Sequence, residues 1–271
     1  MLDYAFMRNA FAAAAIVALV AGPVGYFLVL RGQTFAGHAL AHIGFTGATG
    51  AFLLGIPPLW GLLGMTLAAG VVIGLLGEDL AQRDVAIGLV LALALGFGFL
   101  FLHFVTSFAT QATALLFGNV LAVDPATVWS LLGLGILALA ALGAIARPLL
   151  FASLQPELAQ ARGVSLRLIA ALFLAIVAFA TAEAAQIVGV LLVFTLMVGP
   201  AAAALRLTRR VGAGVLVAAA LALLQAWGGL ALAYETDWPA SFWITALSGL
   251  VYAAAVLAGS WRAVAARGAR A

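Results

Sequence analysis

The chain has 271 residues, of which 66% are hydrophobic and only 8% charged, with a mean hydropathy of +1.24. Soluble domains carry roughly 45–50% apolar and about 25% charged residues, so a soluble fold is excluded, and so is a membrane barrel, whose strands alternate apolar and polar residues. The net charge is +3, all 12 basic residues are arginine and there is no cysteine, which excludes disulfides, thiolate metal sites and cysteine nucleophiles and leaves no basic stripe for nucleic acid.

Uncharged apolar runs follow one another along the chain, each near the ~20 residues that cross a bilayer core. They predict spans near residues 10–30, 35–55, 59–76, 85–105, 126–146, 167–187, 188–205, 212–233 and 241–260. The expected fold is all-α, a polytopic transmembrane helical bundle of about 8–9 spans, with 1–271 forming one domain. Arg8 and the run behind it look like the start of a signal peptide, but the run is too long and more spans follow at once, so it reads as a retained first helix. Residues 167–205 form one apolar stretch interrupted by Glu183 and Gln186. As a single helix its roughly 39 residues would rise about 58 Å, so two helices with a tight turn are expected. Glu183 then reads first as a residue of a short outer loop facing water, and second as a carboxylate receiving a cation.

Arginine sets the orientation. Arg147, Arg162 and Arg167 mark 147–166 as cytoplasmic, Arg206, Arg209 and Arg210 mark 206–211, and Arg262, Arg267 and Arg270 mark the tail. Segments 106–125 and 234–240 hold no basic residue but carry Asp124, Glu235 and Asp237, and Trp238 and Trp243 suit an interfacial belt. Arg83 and Arg31 place 77–84 and 31–34 inside, which puts the N-terminus outside, against the preference of Arg8. Gly70 and Gly74 make a small-xxx-small face that allows close helix contact.

The stretch Arg31 to Gly50 holds the most chemistry. His38 and His42 are four residues apart and share one helix face, separated by about 6 Å of rise. Two imidazoles so placed can point at one cation, and neutral imidazole suits Zn²⁺ and its neighbours. The other reading is a pair of interhelical hydrogen-bonding histidines. Small residues (Ala39, Ala41, Gly44, Gly47, Ala48) leave room for a neighbouring helix or an ion. Residues 151–164 read as a short capped surface helix, with Ser153 as cap, Pro156 in the first turn, Glu157 near the N-terminus and Gly163 ending it. His103 reads as interfacial. Asp124 reads as the cap of the fifth span ahead of Pro125. Gly199 and Pro200 lie inside a span, where proline removes a hydrogen bond and kinks the helix.

Gly37-His-Ala-Leu-Ala-His42 resembles the signature of the metal-ion ABC importer permeases, the zinc and manganese uptake family. There the run reads Gly-Asp-Ala-Leu-Ser-His, so His38 stands where that family has aspartate. Leu115 to Asp124, Phe151 to Val164, and Gln186 to Val193 with Pro200 to Ala204 are similar to three further family segments in the same order. The resemblance implies a type II ABC importer-like permease, working as a homodimer with two cytoplasmic ATP-binding cassette subunits and an extracytoplasmic metal-binding receptor protein. It implies a multi-pass location in membrane lipid, at the bacterial cytoplasmic (inner) membrane. His38, His42 and Glu183 would line the metal pathway. Gln155, Pro156, Glu157, Ala159 and Gly163 would couple to the ATPase, and Gly199 and Pro200 would form a gate. No cofactor is expected on this chain. The cargo reads as Zn²⁺, with Mn²⁺ second, because imidazole in place of carboxylate favours zinc.

A chain without lysine has no phosphate-binding loop of the Gly-x-x-x-x-Gly-Lys type, so ATP hydrolysis falls to separate subunits. The alternative class is a gradient-driven secondary metal transporter or channel, which wants intramembrane carboxylates or broken helices; only Glu183 offers one. An intramembrane zinc protease would show His-Glu-x-x-His, and His38-Ala-Leu-Ala-His42 lacks the glutamate.

Overall fold

The computed structural model describes residues 3–75, 80–104, 118 and 120–268. The helices are α1 (Ala5–Leu30), α2 (Thr34–Leu53), α3 (Pro58–Leu75), α4 (Leu80–His103), α5 (Pro125–Leu154), α6 (Pro156–Ala161), α7 (Leu166–Val188), α8 (Val190–Leu207), α9 (Val211–Thr236) and α10 (Ala240–Gly268), with a 3₁₀ turn at Val120–Ala122. Each expected span corresponds to one of the nine long helices. Residues 76–79, 105–117, 119 and 269–271, and the side chains of Arg83, Gln186, Arg262 and Arg267, lie outside what the structure describes, and so do the topology expectations that rest on them.

Among the described residues seven helices (α1, α3, α4, α5, α7, α9 and α10) are long and apolar enough to cross a membrane. α8 has the same 18-residue length as α3. α2 carries two histidines, three threonines and four glycines, a composition too polar for lipid. It stays in the bundle because protein surrounds it: Ala36, Ala39, Leu40, Ile43, Phe45 and Ala48 are all buried, against α3 and α4 chiefly.

The tight turn expected within 167–205 is a single residue. Gly189 alone separates α7 from α8, at φ 80°, where glycine has no steric penalty. The turn is inside the protein, since Val188 and Val190 on either side are each 1% exposed, and Gly118 packs directly on it. Glu183 therefore does not sit in an outer loop facing water. It belongs to α7 and is 1% exposed.

One end of the bundle gathers the α1–α2 turn and the α5–α6 junction, where Arg31 donates to Ser153 at 3.0 Å. At the other end the Asn9 amide donates to the Val123 carbonyl at 3.1 Å, tying α1 to the segment before α5. Asp124 caps α5 as expected, accepting from the Thr127 N–H at 2.8 Å. Bonds from Thr127, side chain first and backbone second, hold the Asp124 carboxyl below its ordinary range.

Gly70 and Gly74 do make the close contact their spacing implied, and the partner is α7. A Cβ at Gly74 would lie 2.3 Å from the Ala171 Cα, and one at Gly70 2.7 Å from the Leu174 carbonyl oxygen. Backbone cannot yield as a side chain can, and overpacking typically costs about 1–3 kcal/mol. Gly74→Ala is thus expected to lower the thermal midpoint of the detergent-solubilised protein. Gly143→Ala, where nothing lies within 4 Å, should leave it unchanged or raise it. Equal midpoints for the two variants would show that the α3–α7 contact does not hold the bundle.

Candidate functional site

α2 starts straight after a turn that its own sequence closes. Gly32 takes φ 64°, and the Gln33 N–H bonds back to the Leu28 carbonyl at 3.0 Å. This brings α2 up beside the end of α1, and Gly37 lies against the Leu28 side chain. His38 and His42 follow, both half-buried. Their ring centroids are 4.6 Å apart with planes at 76°. Phe194 of α8 packs edge-on to His38 at 4.9 Å. His42 Nδ1 is buried and has no hydrogen-bond partner. The interhelical hydrogen-bond reading thus lacks a partner on that nitrogen, whose lone pair or proton is left unused.

The histidines are brought together, whereas Glu183 is lodged beside α1 and α5. A Cβ added at Gly135 of α5 would lie 3.1 Å from Glu183 Oε1 and close to Val20 and Ile16 of α1, so the carboxyl fills a slot left open by a missing side chain between α1 and α5. Neither of its oxygens has a hydrogen-bond partner. Among the described residues no three His, Asp or Glu side chains gather in a metal-holding cluster. A single copy of the chain thus offers two imidazoles, which is an open site rather than a closed tetrahedral one.

The surface segment forms the short helix α6 (Pro156–Ala161), with Pro156 at its start and Glu157 in its first turn. Gly163 takes φ 83° and ends it, with the Val164 N–H reaching the Ala159 carbonyl at 3.0 Å. Ser153 is not its cap. Ser153 lies in the last turn of α5 and donates to the Leu149 carbonyl, while Gln155 takes the cap position without a side-chain bond. Ala159 is fully buried and anchors α6 to the protein, whereas Gln155, Pro156, Glu157 and Leu158 are exposed. Ala159 is thus turned into the protein, away from the exposed face of α6.

α8 runs on through Pro200. Gly199 lies against Ser248 of α10, where a Cβ would fall on the hydroxyl. His103 is exposed at the end of α4, and Trp238 stacks on Trp243 at 5.6 Å, as interfacial residues do. Sequence reasoning missed Phe194, which carries no signal in an apolar run. It also passed over Gln225, which is 2% exposed with both amide atoms unpartnered. A lone amide within the apolar run of α9 was a readable signal.

The model of the ABC 3 transport family matches residues 3–259. The manganese import system permease protein ScaB of Streptococcus gordonii is 31% identical over 251 residues, which is 92% of this chain and 90% of that protein. The manganese transport system membrane protein MntC of Halalkalibacterium halodurans is 29% identical over 85% of this chain and 79% of its own length. The solved structure of PsaBC from Streptococcus pneumoniae in complex with Fab superposes with a TM-score of 0.84 at 26% identity, covering 94% of this chain and 92% of that one. The chain belongs to the ABC 3 transport family: it is a multi-pass, all-α membrane permease.

A buried carboxyl without partners is costly, by about 1–3 kcal/mol or more. Glu183→Leu is therefore expected to raise the thermal midpoint in detergent. A lower midpoint would mean that the carboxyl has a stabilising partner.

Proposed function

We propose that this chain is the permease of an importer that moves divalent transition-metal ions inward across a bacterial cytoplasmic membrane. It works as a homodimer, powered by two separate ATP-binding cassette subunits and supplied by an extracytoplasmic metal-binding receptor. The observation that carries this reading is the His38–His42 pair, with centroids 4.6 Å apart and His42 Nδ1 unpartnered inside the bundle. Membership of the ABC 3 transport family supports the transport role, and the relatives named as manganese permeases support a divalent metal as cargo.

In this reading the imidazoles are transient ligands. Two nitrogens hold an ion loosely, so that it can leave, and the second copy supplies two more if the helices face each other across the dimer axis. Phe194 fixes the His38 ring. Glu183 is a separate polar station, kept at a cost in stability of the kind that functional sites carry. Pro200 within α8, with Gly199 against Ser248, is the candidate gate. α6, through Gln155, Pro156, Glu157 and Leu158, meets the ATPase. The pair of nitrogen ligands favours Zn²⁺, whereas the relatives named for manganese favour Mn²⁺. We assign Zn²⁺ the higher affinity on ligand chemistry.

The test is metal uptake into vesicles holding the permease with its ATPase and receptor. His42→Ala is expected to cut uptake roughly 10-fold or more, because even outer partners of metal ligands are worth about 10–100-fold. His38→Asp should raise Mn²⁺ uptake relative to Zn²⁺, and Glu183→Gln should lower uptake less than His42→Ala. An assembled His38→Ala/His42→Ala variant that transports at the unaltered rate would refute the site. Glu157→Arg with Leu158→Asp, both on the exposed face, is expected to abolish ATP-driven uptake while the permease stays folded; unchanged uptake would remove α6 from the coupling role.

A further inference from the structure

The α1–α2 turn and the α5–α6 junction are joined by one side chain. Arg31 ends α1, two residues before Gln33 and seven before His38. Its Nη1 donates to Ser153 Oγ at 3.0 Å, its Nε donates to Gln33 Oε1 at 3.3 Å, and its Cζ lies 5.8 Å from the centre of the Phe173 ring. The acceptors are themselves fixed. Ser153 spends its only hydroxyl proton on the Leu149 carbonyl, so its oxygen is turned to accept from Arg31. Gln33 is 3% exposed and its backbone is bonded at both ends, N–H to the Leu28 carbonyl and carbonyl to the Gly37 N–H. Phe173 is fully buried in α7.

An arginine that only marked the cytoplasmic side would reach into water. This one is half-buried and turned inward, its planar fork engaged on two edges and a face. Lysine could not reproduce that geometry, being a point charge without a fork. The elements it joins are also specific. Ser153 is three residues ahead of Pro156, the first residue of α6, and Gln33 directly precedes α2. A continuous path thus runs from α6 through Ser153, Arg31 and Gln33 to the first turns of α2, where the histidines lie. The bridge thus stands between α6 and the base of α2.

We propose that Arg31 is the positioning residue that transmits movement of α6 to the histidine-bearing helix, so that ATP hydrolysis is coupled to metal movement through the Arg31–Ser153 bond. This rests on the reading of the chain as a metal-import permease. It adds the element that links the two ends of that reading.

The experiment uses the whole complex in vesicles, loaded with Mn²⁺ or Zn²⁺ alone, and reads ATP hydrolysed per metal ion taken up. Ser153→Ala removes only the acceptor, at a helix position where alanine is well tolerated. It is expected to raise the ratio about 5-fold, the low end of measured coupling effects. Arg31→Lys, which keeps the charge, should do the same. The double variant should be no worse than either single one, because both break the same bond. Ratios at the wild-type value in both single variants would overturn the proposal. So would a loss of thermal stability or of assembled complex with the ratio unaltered, because that is what a purely structural staple would produce. Wild-type complex that hydrolyses ATP but moves neither metal would defeat the import reading itself, together with this inference, and is seen before any variant is made.

Discussion

Backbone meeting backbone is the contact on which this bundle depends. A Cβ at Gly25 of α1 would land on the Met197 carbonyl of α8, and one at Gly22 would sit 2.6 Å from the Ala219 Cα of α9. With Gly74 against Ala171, and with α7 packed on both α1 and α8, these contacts bind α1, α3, α7, α8 and α9 into one block. In lipid the expulsion of water gives no drive for helices to associate, so close van der Waals packing through small residues has to supply it. The alanines that fill the rest of these seams, such as Ala10, Ala13, Ala14, Ala18 and Ala21 of α1, are all nearly inaccessible.

A block packed this closely can shelter groups that lipid would reject. α2 is the main beneficiary. Its two buried threonines are satisfied locally or across the seam: Thr46 donates to the Ala94 carbonyl and Thr49 to the Thr46 carbonyl. His42 Nδ1, both oxygens of Glu183 and both amide atoms of Gln225 are not satisfied. Each such group costs of order 1–3 kcal/mol. Polar groups left bare in a membrane interior are expensive, and they mark places where something polar passes or binds. The bundle is thus closely packed along its glycine seams and unsatisfied at these few atoms.

The helices were legible because lipid imposes one strong rule, that about 20 apolar residues make a span, and this chain obeys it almost everywhere. α2 is more polar than the seven apolar helices, yet its run from 35 to 55 was still long and apolar enough to be predicted as a span. The cap at Asp124 and the end of α6 at Gly163 were readable because capping chemistry is local. Glu183 was misplaced for the opposite reason. Its slot depends on Gly135 of another helix and on a one-residue turn at Gly189, and neither is visible from its neighbours in sequence. Ser153 was misread because a serine ahead of a proline looks like a cap, while its real bonds go to Leu149, a turn earlier, and to Arg31, 122 residues away. Ala159 matched a motif, yet burial assigns it to anchoring. A motif names residues, but only packing says which way they face.

The charge at the histidine pair carries the last consequence. The resembling signature has aspartate where this chain has His38, so the pair here brings two nitrogens and no negative charge. A divalent ion held by neutral ligands alone in a medium of low dielectric keeps its full charge, and burying such a charge without compensation is strongly unfavourable. Glu183 lies in its slot against Gly135 between α1 and α5, and among the described residues no third His, Asp or Glu joins the pair. On the proposed reading the ion must therefore be compensated from outside this pair, by the facing copy, by water or by the donor protein, and it rests at the histidines only briefly. Softer, more nitrogen-seeking cations pass such a station at a smaller penalty than oxygen-seeking ones. On the proposed reading the exchange of aspartate for His38 shifts selectivity and residence time together, because the lost charge and the gained nitrogen are the same substitution.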